Sequence, residues 1–572
     1  MQYLNKKIYF ILFVITFLIV NTSTFSKNNE NMYSQKYISN YLSGIISLKN
    51  NNNAAAFKYL KEVKSLKKNH NNFNIEFIQT LILLGKFKDA FEFSNDVWSE
   101  DRLLFEADLL LGLKYLINQK HSQAIKHFKR LDKTNRYNLP IESFLSNALS
   151  AWTYAAEGNE KDSFAAFSKI SDRYRNLKLI QKSFLQCYFD FPDTKSTFDE
   201  LIGDKDYNFT RYNFFLANYL LSKEKKEEAK KVIIVARNEN NTNLLLKQSE
   251  NFILTKNEKK IKSFFNCKKT QDNIAEIFYI IATLYSSEKE YKLSNFYLKI
   301  SLFLNNNFST NKTLLAENLF YQKKYKESKK IYKSIKLIGP NYSWHASKSL
   351  AMILSEEQGE KYSPSDLEKE FKLLLNPNFQ DYYELANFYK NRNYFEESIK
   401  YYSLALKNIE KGHSLISKIL HKRGTSYERI DDWTNAEKDL KDSLKILPDD
   451  PHVLNYLAYS WIEKKININE ALEMLKEANS LKKNDGYIID SLGWAYFARS
   501  NYIEAEKYLQ KAVELMPLDP VINDHYADTL WMLKKNMQAR YLWNHVLNLE
   551  RTEKKLKDDI KKKLIYGVIK NS

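Results

Sequence analysis

Apolar and polar positions alternate along most of the chain with a helical period. The stretch 486–519 shows it best: GYIIDSLGWAYFARSNYIEAEKYLQKAVELMPLD. Ile489, Leu492, Gly493 and Tyr496 recur at three- and four-residue spacing, which is one face of a helix. Ala505, Leu509 and Ala512 trace a second helix. Ser500 and Asn501 mark the turn between them, and Pro517 stops the second. Gly493, Ala505 and Ala512 fall where the two helices cross. A side chain of one carbon or none lets the backbones approach closely there.

This unit of 34 residues resembles the tetratricopeptide repeat, whose pattern places Leu-Gly, Tyr, Ala, Ala and Pro at these positions. One such hairpin cannot bury its apolar face alone, so neighbours are required. Pro520–Glu553 comes next, with Ala527 and Ala539 in the small-residue slots. Pro451–Asp485 precedes it, with Ala458, Ala471 and Ala478 and one extra residue in the turn near Lys465. Ser417–Asp450 carries Gly424 and Ala436. Further upstream the register recurs at Tyr37–His70, Asn71–Leu104, Phe105–Asn138, Phe144–Ile170, Thr210–Asn243, Ala275–Phe308, Ser309–Tyr342 and Phe379–Ile416. Stretches near 178–209, 244–274 and 343–378 are helical in pattern without the small residues and read as degenerate repeats. The fold class is therefore all-α, with about fifteen helical hairpins. The resemblance implies that they form a right-handed superhelical solenoid. The expected organisation is a divergent array over 37–377, a regular array over 378–553 and a closing amphipathic helix over 554–572.

The first residues break this pattern. Lys6 and Lys7 precede an uncharged apolar run, Ile8–Val20, and Thr24-Phe25-Ser26 offers small residues at a peptidase site. This is the pattern of a secretory signal peptide over 1–26, followed by a polar leader over 27–36. The expected location is the periplasm. The alternative is the inner membrane, held by an uncleaved N-terminal anchor, although the run is short for a span of about 20 residues. No Cys comes after the run, which leaves no site for lipoprotein acylation.

Composition changes this picture little. The net charge is +19, but Lys is spread along the chain beside Glu, as in KEKKEEAKK at 223–231, with no dense Arg cluster or aromatic stacking motif. A solvated surface is expected, with no nucleic-acid partner; summed charge allows weak contact with an anionic membrane or cell-wall polymer. A whole repeat, 210–243, separates the only two cysteines, Cys187 and Cys267, so free buried thiols are expected. No HExxH, GxSxG or GxxxxGK occurs, and the nine His are scattered. The expectation is a protein that is not an enzyme, with no catalytic residues, no metal, no cofactor and no small-molecule substrate. His525 reads as a hydrogen-bonded structural residue.

In the tetratricopeptide family the first helix of each hairpin lines the groove at positions two, five, nine and twelve. The resemblance therefore implies a wall of His452, Asn455, Tyr459 and Ile462, then Tyr487, Asp490, Trp494 and Phe497, then Val521, Asp524, Asp528 and Trp531. Asn455, Tyr459, Asp490, Trp494, Asp524, Asp528 and Trp531 are the candidate partner-binding residues. Aromatic anchors among polar groups suit a protein interface. Over about 450–550 the wording is similar to alphaproteobacterial envelope tetratricopeptide proteins, which in turn resemble lipoprotein adaptors of C-terminal processing proteases. That resemblance implies a scaffold that binds another cell-envelope protein, such as a periplasmic protease or an assembly complex. The alternative is a subunit of cell-wall or polysaccharide assembly or export that uses the groove for glycan. Export predicts cleavage after Ser26. N-terminal sequencing of the mature protein checks it, and a membrane-held chain that starts at Met1 refutes it.

Overall fold

The computed structural model describes residues 34–134, 141–204, 208–240, 242–358 and 363–568. The signal segment, most of the leader and the last four residues of the closing segment lie outside the described residues. Among those described, no helix is long and apolar enough to cross a membrane.

The described helices run in chain order as fifteen pairs, from Gln35–Lys49 with Asn53–Leu60 to Pro520–Met532 with Asn536–Asn548, and then the single helix Lys554–Tyr566. The protein is an all-α solenoid of helical hairpins; Ser99 and Arg102 form an isolated β-bridge. The turn inside nearly every pair holds one residue in the left-handed region: Asn51, Gly85, Gln119, Gly158, Asp190, Glu224, Lys256, Lys289, Lys323, Asn393, Asp431, Lys465, Ser500 and Lys534. A left-handed residue after a helix lets its amide close on the last free carbonyls and reverses the chain in three residues. The series passes through the degenerate stretches at Asp190 and Lys256, so these keep the repeat's turn after losing its small residues. The extra residue near Lys465 is absorbed in its turn, where Asn467 is left-handed as well.

Within a pair, the small residue of the first helix receives a side chain from sixteen positions on. A Cβ on Gly493 would lie 2.6 Å from Leu509 Cγ, and one on Gly112 would lie 2.4 Å from Phe128 Cε1. Even alanine does not fit there without movement of the partner.

The helices belong to two compact units. One comprises the chain up to Val232 and Asn257–Ile331, the other Ile233–Lys256 and Tyr332 onward. The chain therefore leaves the first unit within the Lys226–Glu239 helix and returns before Glu258–Phe264.

In the first unit, later helices pack back on earlier ones. Tyr291–Leu304 lies against Asn71–Leu83, and Thr270–Ser287 against Ile141–Ala156. Phe303 stacks on Phe87 with ring centroids 4.1 Å apart, and Lys292 donates to Glu76 at 2.7 Å. The partly buried Arg211 guanidinium meets Glu276 at 2.6 and 3.1 Å and Thr310 at 2.9 Å, joining three hairpins.

This arrangement overturns the expectation of free thiols: Cys187 and Cys267 form a disulfide with Cα atoms 6.0 Å apart. The physical reason is the chain's departure to the second unit. With 233–256 removed from the stack, the Tyr212–Ser222 helix packs on Glu258–Phe264. Asn218 donates to the carbonyls of Ile261 and Phe265 at 3.0 and 2.9 Å. Phe184 meets both Phe215 and Phe265, at 5.0 and 5.3 Å. Both cysteines therefore flank one helix.

In the second unit, contacts run mainly between successive helices, with Leu244–Leu254 packed on Pro340–Gln358. Lys247 there reaches the buried Asp381 carboxylate at 2.8 and 3.0 Å.

The disulfide closes a loop across 80 positions. Its removal in Cys187→Ser/Cys267→Ser is expected to destabilise the first unit by about 2–4 kcal/mol, chiefly through a less constrained unfolded chain. Urea unfolding measures the loss, and two thiols titrating in the native protein would count against the bond.

Candidate functional site

The second unit's last hairpins build the candidate wall. Asp450, Asp485 and Asp519 each cap a first helix. Each takes two backbone amides on its Oδ1, from His452 and Val453, Tyr487 and Ile488, and Val521 and Ile522, at 2.9–3.3 Å. A capping carboxylate of this kind satisfies amides that have no partner inside the helix. Because the three caps recur with the repeat, the helices Pro451–Glu463, Gly486–Ala498 and Pro520–Met532 start in phase and lie side by side.

The predicted residues fall into two sets. In the first, Asp490 is buried and accepts from His525 Nδ1 at 3.1 Å to each oxygen. The Trp494 ring lies between two others. Phe497 stacks at 4.4 Å and 10°, and His525 at 4.0 Å and 11°. Two nearly parallel rings at those distances cannot share one face, so both faces of the indole are covered. Its Nε1 donates to Glu463 at 2.8 Å. Tyr459 lies beyond His525, with ring centroids 6.4 Å apart. Burial, Glu463 and Asp490 raise the Tyr459 phenol's pKa. Asn455, on the same helix as Tyr459, has its side-chain oxygen buried without a hydrogen-bond partner.

The second set is tied together by a residue outside the repeats. Lys563, on the closing helix, donates to Asp524 at 2.8 and 2.9 Å and to Asp528 at 2.7 Å. Asp528 also accepts from Trp543 Nε1 at 3.1 Å. Trp531 sits over Trp543 at 5.5 Å, with the Arg540 guanidinium 5.6 Å from its centre. The three Asp are therefore paired within the chain, Asp490 with His525 and the other two with the shared Lys563. Sequence reasoning missed Lys563 because the closing helix has no repeat phase. It did read His525 as a hydrogen-bonded structural residue, and the bonded partner is Asp490, one repeat earlier. At position two of the wall, Tyr487 and Val521 are 55% and 44% exposed.

The electrostatics reflect burial and pairing. Burial favours neutral His525, but Asp490, Asp524 and Asp528 outweigh it and raise its pKa above 6.5. Burial and Asp524 raise the pKa of the Asp528 carboxyl, against the pull of Lys563. Burial lowers the pKa of Lys563, but the two carboxylates more than restore it. Among the described residues, no group of three or more His, Cys, Asp or Glu is placed to hold a metal ion.

Comparison with known proteins agrees with the repeat. The model of the tetratricopeptide repeat family matches residues 487–516. A TPR repeat-containing protein of Pseudomonas aeruginosa is 31% identical over 99 residues, 17% of this chain and 17% of that one. Protein bimA of Emericella nidulans is 23% identical over 83 residues, 14% of this chain and 10% of that one. The chain thus matches less than a fifth of either relative's length. Among solved structures, the APC/C hetero-tetramer Cut9–Hcn1 is aligned over 93% of this chain and 97% of that one, at 15% identity and a TM-score of 0.35. Yeast Tom70 is aligned over 80% and 94%, at 17% identity and a TM-score of 0.33.

A raised histidine pKa stabilises the fold fully below 6.5 and loses that contribution as pH rises through the raised value. Asp528 adds a fall of the same sign, beginning near 3.8. Hydrogen exchange across 486–532 is therefore expected to be slower at pH 6 than at pH 8.5 after correction for intrinsic rates. His525→Asn should flatten the dependence above pH 6.5. An equal slope in wild type and variant would refute the assignment.

Proposed function

We propose that the chain, whose residues 487–516 match the tetratricopeptide-repeat model, is an exported, non-enzymatic adaptor of the cell envelope. Its second unit binds another envelope protein, such as a periplasmic protease or an assembly complex, through the inner wall of the last hairpins. The carrying observation is the wall itself. Three first helices in phase present Tyr487 and Val521 to solvent beside the partly exposed Tyr459, Trp494 and Trp531. Stacked repeats supply extended binding surfaces of this kind. The Cys187–Cys267 disulfide supports export, because such bonds persist in the periplasm and are rare in the cytosol.

The glycan alternative loses one of its supports. A sugar ring binds an indole through its open face, and both faces of Trp494 are covered.

The test is site-specific photo-crosslinking in the intact cell, with the full chain. A crosslinker at Tyr487 is expected to capture a defined envelope protein, and one at the exposed outer-helix Lys511 is not. Tyr487→Ala should weaken that complex by about tenfold or more, the scale of truncating an aromatic anchor. Capture of cell-wall polymer alone, or equal capture from both sites, overturns the reading.

A further inference from the structure

Two to four hairpins upstream of the Asp set, the second unit's inner strip carries lysines whose acceptors are not carboxylates. On the Phe379–Lys390 helix, Lys390 Nζ donates to Thr425 of the next first helix, Leu415–Arg429. From that helix Lys422 Nζ reaches back to Asn387 at 2.6 Å, and lies over the Tyr383 ring at 5.4 Å. Asn387 also accepts from Tyr402 at 2.9 Å. Lys418 is exposed one turn before Lys422, and His421 stands 6.0 Å from Tyr456 on the third helix.

Both Lys390 and Lys422 are partly buried, and among the described residues their hydrogen-bond partners are a hydroxyl and an amide, not carboxylates. The carboxylates nearby are committed elsewhere. Glu384 takes Lys348 and Gln380, Glu428 takes Tyr456 and Arg429, and Asp450 caps its helix. The consequence is visible in the ionisation. Burial, with Lys422 and Arg429, brings Lys390 down to about 8. Burial and Lys418 lower Lys422, and burial with Lys390 brings His421 down to about 4. Partly buried cations that repel one another are costly unless an anion joins them.

We propose that Lys390, Lys418 and Lys422 form a seat for an acidic segment of the protein partner, whose Asp or Glu side chains lie along the first helices of two consecutive hairpins. This rests on the adaptor reading and specifies its ligand chemistry. Protein carboxylates fit better than nucleic acid, because the ring that faces the lysines, Tyr383, has its face under Lys422 and offers no stacking surface for a base.

The test uses the full mature chain and a fluorescein-labelled hexaglutamate peptide at low salt. Binding is expected, and it should weaken as salt is raised. Lys390→Gln/Lys422→Gln should weaken it by about tenfold or more. The charge-matched control Lys438→Gln/Lys511→Gln, on exposed outer-helix positions, should change it by less than about twofold. The thermal midpoint supplies a second readout. Because the substitutions relieve repulsion, it should stay level or rise. Equal weakening by both double variants, displacement of the peptide by an oligonucleotide at lower concentration than by unlabelled hexaglutamate, or a clear fall in the midpoint of Lys390→Gln/Lys422→Gln would each overturn the proposal. Crosslinking from Tyr487 is independent of these outcomes, so the adaptor reading can survive the loss of the acidic seat.

Discussion

The regular hairpins depend on one close approach. A small residue on the first helix must receive the side chain that arrives sixteen positions later. Gly44 takes Leu60, Gly112 takes Phe128 and Gly493 takes Leu509, each closer than a Cβ would allow. Ala386 with Tyr402 and Ala527 with Trp543 keep the same spacing with a methyl, and all four side chains are fully buried. The knob's size can vary from Leu to Trp because the hole is set by backbone. That fixes how the two helices cross, and the crossing in turn fixes which residues of the first helix remain to line the wall. The phase of Tyr487 and Val521 is thus a consequence of packing behind them.

The same constraint explains what was legible from sequence. Where it is kept, as in 451–553, the helices, the turns and even the extra residue near Lys465 could be placed by counting. The degenerate stretches were harder, because their hairpins keep only the left-handed turn residue. At Asp190 and Lys256 that residue has no glycine signature. What could not be read was every contact without a period. The departure of 233–256 to the second unit, the Lys292–Glu76 pair and the Arg211–Glu276 pair depend on side chains far apart in sequence. The error over Cys187 and Cys267 came from assuming that neighbours in sequence are always neighbours in the stack. The seven candidate residues lie on three first helices, and their charge could not be judged without Lys563 from the closing helix.

That charge balance has an energetic logic. Taking a carboxylate out of water is costly unless a cation and further hydrogen bonds replace the solvent. Asp524 and Asp528 meet the condition with one shared lysine and the Trp543 indole, and Asp490 meets it with a histidine that is itself stacked. Such groups are tied to the fold and have little left to offer a ligand. Their value to a partner is indirect: they hold the Trp494 and Trp531 rings at fixed positions.

Lys390 and Lys422 stand in the opposite condition. They too lie on first helices, but they are only partly buried, and hydroxyl and amide oxygens are the acceptors they meet. A fold selected for stability alone would place a carboxylate at Thr425 or Asn387, where a short side chain already touches each ammonium. Asparagine at 387 differs from aspartate by one atom, so the missing charge is not a matter of space. Within one wall, then, the acidic end is closed by the chain's own helix and the basic end is left open. An open end with charge to spare is where an outside partner gains most by binding, since its anions replace solvent around cations that the fold has already partly stripped of water.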